Sequence, residues 1–439
     1  NLDVTSGTIK LDGNYPVGTQ NVALGNTALD SLTSGGYNTA IGYDTLTSNT
    51  TGGSNVALGS NALDANVSGS FNSALGESSL GGNTTGEYNT AVGRQALGSN
   101  TTASYNTAVG YLAGYTNTTG DQITALGTQA LKLNTTGNYN SAVGVNSLLS
   151  NTTGSYNTSI GHSSLISNTT ANNNTAVGYQ AGYLNTTGTA NTFIGQGAGL
   201  SATTANYNTI IGQGAGTSLT TGSGNCFVGG SWANSGYFVT TGSKNTILGG
   251  YNGNQGGLDI RTSDNNIVLS DGDGNPRVIV DSSGNVGIGT TSPSYSLTVN
   301  SGTANVVAKF ISTDAYALIQ FEDNTTSAEM TLGALADDMV FRVNAAEAMR
   351  IDSSGNLLVG TTDNSIYNNG TNTSADTGIN LNTTYAGFAR YNGTPMYVNR
   401  TGSDGDIIAF NKSGGTVGSI GVASSDNLYI GSSATDHTG

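Results

Sequence analysis

The sequence predicts an all-β chain whose first half is a repetitive parallel β-roll or β-solenoid of 17-residue coils, followed by small β-domains. Three observations carry that prediction. A pentapeptide of the form Asn-Thr-Ala-Val-Gly recurs in phase, its final glycine falling at Gly25, Gly42, Gly59 and onward to Gly195, Gly212 and Gly229 at a constant interval of 17. Glycine (66 of 439 residues) and asparagine are abundant and proline (4) is scarce, a composition that disfavours helix interiors and favours turns between short strands. Val, Ile or Leu stands directly before each of these glycines, from Leu24 and Ile41 to Ile211 and Val228.

The unit reads N-T-A-V-G-x-x-A-L-x-x-N-T-T-G-x-Y. One such unit cannot bury a core alone and gains stability by stacking on its neighbours. With coils about 4.7–4.9 Å apart, thirteen of them make a rod of roughly 60 Å. The next glycine, Gly249, follows after 20 residues and an irregular stretch at 231–242. The Val/Ile/Leu column is expected to face inward. The residue before it points the other way in a strand. It is small through most of the repeat (Ala23, Ala40, Ala57, Ala91, Ala176) and then becomes Phe193, Ile210, Phe227 and Ile247. Two apolar faces on one short strand imply that the second face meets another chain, and the change to large residues reads as a wider, more tightly filled assembly. A weaker apolar patch follows each glycine, first Ala28-Leu29 and Ala62-Leu63, later Ala181-Gly182 and Ala198-Gly199.

Two asparagine columns run through the repeat, one from Asn21 and Asn38 to Asn225, the other from Asn49 and Asn66 to Asn185. In register their amides form ladders. The second column also matches the N-x-S/T glycosylation acceptor, a pattern that recurs because the repeat recurs. Tyr37, Phe71, Tyr88, Tyr105, Tyr139, Tyr156 and Tyr207 form a partial aromatic column, expected to stack on the rod, with sugar binding as the alternative.

Only 9% of residues are charged and the formal net charge is −15. With 12 basic side chains, no electrostatic grip on nucleic acid is expected, and an acidic surface disfavours anionic membranes. Cys226 is the sole cysteine, which leaves no intrachain disulfide and no cysteine-based zinc site. No apolar run reaches the roughly 18 residues of a membrane-spanning helix, so no membrane insertion is expected, and no secretory signal is visible. The chain begins at Asn1 rather than Met and reads as a piece of a longer or processed product.

Composition shifts near Gly250. Residues 21–249 hold three basic side chains (Arg94, Lys132, Lys244) and six acidic ones. Beyond them, hairpins are expected at Ile267–Ser270 and Arg277–Val280 around the turn Asp271-Gly272-Asp273-Gly274. Asp281-Ser282-Ser283-Gly284-Asn285 recurs 71 residues on as Asp352-Ser353-Ser354-Gly355-Asn356, with alternating strands between. The expected organisation is a lead-in strand (1–20), the repeat shaft (21–249), a hairpin connector (250–296), a compact β-domain (297–362), a linker (363–385) and a C-terminal β segment (386–439).

No residue is assigned a catalytic, cofactor-binding or metal-binding role. Asp271-x-Asp273-x-Asn275 opens like a calcium loop, but Pro276 and Ser282 stand where that loop needs Gly and Glu. His162 and His437 are far apart, and His162 sits at a rod-surface position. Asp337-Asp338 and Glu322-Asp323 could in principle be paired carboxylates as in glycosidases, but adjacent acids on a strand point to opposite faces, and they read as solvated turn residues. Gly-Gln-Gly-Ala-Gly at 195–199 and 212–216 lacks the lysine and the helix of a phosphate loop.

The unit Asn174-Thr175-Ala176-Val177-Gly178-Tyr179-Gln180-Ala181-Gly182 resembles repeats of phage tail-fibre proteins. It is also similar to the head repeats of trimeric autotransporter adhesins, although those repeats are shorter than 17 residues. The stretch Asn285-Val286-Gly287-Ile288-Gly289-Thr290-Thr291-Ser292-Pro293 resembles a segment of fibres that end in an endosialidase-type intramolecular chaperone. Thr246–Gly250, Gly257–Arg261 and Val268–Arg277 also resemble tailed-phage fibres. The resemblance implies an intertwined homotrimer, a left-handed roll and a non-enzymatic structural fibre of the virion. One end would engage tail or baseplate proteins and the other a host surface glycan or protein receptor. The alternative it implies is a trimeric adhesin or filament of the bacterial cell surface.

Overall fold

The computed structural model describes residues 9–10, 19–230, 234–304, 306–322, 329–362, 378–381, 386–390, 396, 405–412, 415–423 and 427–431. The chain divides into two compact units, Asn1–Val307 and Ala308–Gly439. Among the described residues there is no helix.

The first unit is a parallel β-solenoid. Fourteen three-residue strands, from Val22–Leu24 to Thr246–Leu248, pair in parallel with their sequence neighbours. The register advances by one repeat per coil, as in Thr90↔Thr107, Ala91↔Ala108 and Val92↔Val109. The strands are short because the glycine that ends each one is extended with φ near +135° (Gly76 +134°, Gly127 +134°). A Cβ at Gly76 would lie 2.7 Å from the carbonyl of Gly93 in the next coil, so this position admits no side chain. Two residues after the glycine, and again two residues later, the chain turns through left-handed conformations, even at Leu29 (φ 56°), Leu63 (53°) and Leu165 (46°). Those turns drive the leucines into the coil interior, where they are fully buried.

The core is the reverse of the sequence expectation at the strand. The central strand residue points inward: Ala40, Ala57, Ala91 and Ala176 are fully buried. The Val/Ile/Leu before the glycine points outward, and Leu58 is 46% exposed. The cause is volume. The interior is narrow, and the leucines of the turns already reach across it, leaving room for little more than a methyl group at the strand. From Gly182 onward, where the turn leucine becomes glycine, the strand residue enlarges to refill the core. Phe193, Ile210 and Phe227 are therefore buried inside the coil and do not widen an assembly. At Gly114 the large residue comes instead from the asparagine column: a Cβ on Gly114 would lie 3.5 Å from Ile123 Cδ1, while Ala108 and Ala125 stay small.

Both asparagine ladders form. In the first, each side-chain oxygen accepts the backbone N–H of the next coil (Asn55 N to Asn38 Oδ1, 3.0 Å) while the amide donates within its own coil (Asn55 Nδ2 to Gly69 O, 2.9 Å). It is interrupted at Ile123 and continues past the expected list through Asn245 to Asn266. In the second, each amide donates to the coil before it (Asn83 Nδ2 to Asn66 Oδ1, 2.8 Å) and to its own turn (Gly86 O, 3.0 Å). These buried asparagines offer no free amide for a glycan. Buried polar groups are tolerated here because each is bonded along the stack.

The parallel ladder runs one coil past the expected end of the shaft, with Thr246 pairing Ile267. Tyr251, Ile260, Val268 and Ile279 close the end of the core. The Tyr251 hydroxyl donates to Leu258 O at 2.8 Å, and burial holds its phenol well above the ordinary value. The sheet then turns antiparallel through Ile267–Ser270, Pro276–Val280 and Val286–Ile288, and Val286–Ile288 pairs in parallel with Leu297–Val299. The expected connector is thus continuous with the shaft sheet, which passes through the expected boundary at 296/297.

The second unit contains a seven-stranded antiparallel sheet and a three-stranded one. The seven strands are Tyr316–Phe321, Met330–Leu335, Asp338–Val343, Ala346–Ile351, Leu357–Val359, Gly378–Leu381 and Ala386–Ala389. The strand Gly378–Leu381 lies inside the stretch expected to be a linker; residues 363–377 and 382–385 of that stretch lie outside the described residues. The smaller sheet joins Gly405–Lys412, Gly415–Ala423 and Asn427–Gly431.

Candidate interaction surfaces

Among the described residues, the candidates for chemistry do not converge. Among the described residues, no group of three or more His, Cys, Asp or Glu side chains could hold a metal. His162 stands on the shaft exterior with its ring on that of Tyr179, 5.6 Å between centroids. His437 and Asp323 lie outside the described residues.

Asp271 is occupied by its own turn. Its Oδ1 accepts the N–H groups of Asp273 (3.1 Å) and Asn275 (2.8 Å), and its Oδ2 accepts from Arg277. The Asn275 amide and the Arg277 guanidinium hold this carboxyl down at about 2. The two copies of the Asp-Ser-Ser-Gly-Asn motif fold the same way, with Asn285 N to Asp281 Oδ1 and Asn356 N to Asp352 Oδ1 both at 2.9 Å. Gly274, Gly284 and Gly355 share a φ of 82–86°. Asp271–Asn275 is therefore the expected hairpin turn, and it is a third copy of one carboxylate-capped turn.

Asp338 accepts from Arg350 and from the Ser353 N–H, and Glu347 holds the other side of the Arg350 guanidinium. Asp338 is thus not the solvated turn residue expected: it opens a strand and is one partner of a largely buried ion-pair triad, because Arg350 and Glu347 close over it. The two Gly-Gln-Gly-Ala-Gly segments are ordinary coil turns: Gly197 (φ 63°) and Gly199 (58°) occupy the left-handed positions that Gln129 and Leu131 fill elsewhere.

Three surfaces remain. The first is the aromatic column. Phe71, Tyr88 and Tyr105 stack in parallel at 4.8 and 5.1 Å, and Tyr139 and Tyr156 at 4.9 Å. The rings cover one another's faces and present edges and hydroxyls outward. A sugar that packs on an aromatic needs an open ring face, which these stacks offer only at their ends.

The second surface is the outward Val/Ile/Leu column of the shaft, one aliphatic residue per coil in strict register. Leu58, Leu75, Val109, Ile160, Ile194 and Leu248 are all exposed large apolar side chains. The repeat reveals this column, but it lies on the outer side of the strand rather than the expected inner one.

The third surface is one face of the seven-stranded sheet. Strand register places Ile319, Leu332, Phe341, Met349, Val359, Ile379 and Phe388 side by side in one row across all seven strands. A second complete row runs from Ala317 through Met339 and Leu357 to Ala386. Every residue in both rows is apolar. The opposite face mixes Gln320, Thr331, Arg342 in register with Glu347 and the Arg350 triad with Leu318, Val340 and Leu358, of which Val340 and Leu358 are buried. The sequence showed the alternation in single strands, but the rows exist only once the register of the last strands is known. A shallow hollow of about 530 Å³ lies on the apolar side between Phe310, Ile319, Leu332 and Met339.

No helix among the described residues is long and apolar enough to cross a membrane. Comparison with protein-family models, with curated proteins and with solved structures returned no match.

Proposed function

We propose that this chain is a structural segment of a phage tail fibre, a homotrimer whose stacked coils form a stiff shaft and whose later β-structure serves attachment to the host surface. The observation that carries the reading is the outward aliphatic column. A monomeric rod has no reason to place a Val, Ile or Leu on its exterior in coil after coil. Contiguous apolar surface of this kind marks an interface. Three copies packed with these columns about a common axis would bury it and keep the polar turns and aromatic edges in water. Stiffness follows from the two asparagine ladders and the coil-to-coil hydrogen bonds, which leave no hinge between coils. The role is mechanical and adhesive and involves no catalysis.

Light scattering on the purified chain tests the assembly, with an expected mass three times the 44.1 kDa of one chain. A monomer mass would overturn it. Attachment is tested by competition: the purified chain should slow adsorption of the parent phage to its host. Flanking genes for tail assembly support the phage reading, whereas an encoded outer-membrane anchor would replace it with a bacterial surface adhesin.

A further inference from the structure

Resting on the reading that the chain assembles with copies of itself, we propose that the apolar face of the seven-stranded sheet is a second self-association surface, and that what covers it is the same face of the other copies. A sheet face that is apolar in every row requires a second layer against it. Here the fold of a single chain leaves that face open: Phe321, Met330, Met339, Val343, Ile351 and Phe388 are all exposed. Seven strands about 4.8 Å apart and several residues long make a plane on the order of 500 Å² before side-chain relief is counted, at the upper end of what a monomer leaves in water.

The choice of occupant follows from the chemistry of the rows. Across both of them there is no charge and no hydrogen-bonding side chain for a polar partner to satisfy. The ionic groups of the sheet lie on the other face, where Arg350 holds Asp338 and Glu347. An uncharged apolar surface is matched by an equally uncharged one, and the copies that cover the shaft column supply it at fixed stoichiometry. Rotational symmetry turns the same face of every copy toward a common axis, so in a closed homo-oligomer the three faces meet one another there.

Three of the four methionines, Met330, Met339 and Met349, sit on this face and report on it directly. In a single chain Met330 (46%) and Met339 (45%) are as exposed as Met396 (46%), which lies outside the sheet. The test is mild peroxide oxidation of the native full chain, read peptide by peptide by mass spectrometry alongside the solution mass. The expected result is a multimer in which Met330 and Met339 oxidise more slowly than Met396, on the order of tenfold. A multimer whose three methionines react alike would overturn this proposal and leave the shaft interface standing. A monomer would overturn both.

A second measurement identifies the cover. In a Cys226→Ser background, Phe341→Cys should give disulfide-linked pairs of chains on a non-reducing gel, whereas Thr331→Cys on the opposite face should not. Protected methionines without such pairs would mean that something other than a second copy covers the face, and that outcome also overturns the proposal.

Discussion

Phe193 occupies the space that the missing side chain of Gly199 leaves in the core: a Cβ on Gly199 would lie within contact-forbidding range of its ring, 2.3 Å from Cδ1. The same ring limits Gly182, whose Cβ would lie 2.6 Å from Cδ2. In the earlier coils the column of these two glycines holds leucine at every position but Gly114, and the column of Phe193 holds alanine at every position but Ser159. The coil therefore keeps its volume while exchanging which side supplies it.

This exchange predicts a reciprocal mutational pattern. Phe193→Ala alone should open a cavity and cost about 3–5 kcal/mol. Gly199→Leu alone should overpack the same space at about 1–3 kcal/mol. Its backbone is not the obstacle, because leucines already adopt that left-handed conformation in neighbouring coils. Phe193→Ala combined with Gly182→Leu and Gly199→Leu rebuilds the earlier coil and should recover most of the loss. Hydrogen exchange of the coils from 175 to 212 reads each effect locally, which suits a stacked array that need not unfold as one unit. A triple variant less stable than Phe193→Ala would mean the two sides do not share a cavity.

A second prediction comes from the end of an asparagine ladder. Asn185 Oδ1 is buried without a hydrogen-bond partner. Every asparagine below it in that column receives an amide from the coil above, but the coil above Asn185 offers Ala202. Ala202→Asn should extend the ladder, donating to Asn185 Oδ1 and to Ala205 O as its predecessors do. The expected gain is about 0.5–1.5 kcal/mol. Conversely, Asn117→Ala strips donors from Asn100 Oδ1 and Gly120 O and an acceptor from Asn134 Nδ2. It should cost about 1–3 kcal/mol for each buried group left unpaired. Thermal unfolding of both variants decides the matter, and an Ala202→Asn chain that melts earlier than the parent would show that the column has no room for the amide.

The period, the all-β class and both ladders were legible because a solenoid repeats its local chemistry, so that every coil restates the same constraint. The side of the strand was not. In Thr-Ala-Val the larger aliphatic residue looks like core, yet Ala91 is buried and Val92 faces out. The information that decides it is a correlation: alanine becomes Phe193 just where leucine becomes Gly182 and Gly199. Two positions that trade volume must face each other, which puts the alanine inside. That Asp271 opens a third copy of the capped turn was not legible, because Asp271-Gly-Asp-Gly-Asn disguises the Asp-x-x-Gly-Asn pattern with an extra acid and an extra glycine.

The capped turns predict an acid response. The Asp271 carboxyl is held at about 2, against an ordinary value of 3.8, by the Asn275 amide and by Arg277. The amide of Asn285 lowers Asp281. At Asp352 partial burial works upward, but the bonds from Asn356 outweigh it and the carboxyl is again lowered. A carboxyl depressed on folding contributes stability above its unfolded value, and that contribution fades as pH falls through the folded value. The hairpins should therefore be unaffected from neutral pH to about 4 and loosen between about 4 and 2. Carboxyl-carbon NMR should place the Asp271 midpoint near 2, and Asp271→Asn should remove that titration while speeding exchange of the Asn275 amide. A midpoint near 3.8 would show that the cap is not formed in solution.

The outward column gives the sharpest test of assembly. Val109 is 39% exposed and lies in register with Val92 and Leu126. On a monomeric rod, Val109→Asp is a surface substitution and should change stability by no more than about 0.5 kcal/mol. In an assembly with the columns facing a common axis, the same change buries one carboxylate per copy among its symmetry mates, where unpaired charge and like-charge repulsion together cost several kcal/mol. The variant should then lose mass in light scattering, or keep its mass only with faster hydrogen exchange at strands 90–92, 107–109 and 124–126. Thr128→Asp supplies the control: it adds the same charge at an exposed position just past the strand and should leave both readouts unchanged. If the two variants behave alike, the column faces water and the aliphatic residues need another explanation. If only Val109→Asp responds, the exterior of the single chain is the interior of the fibre.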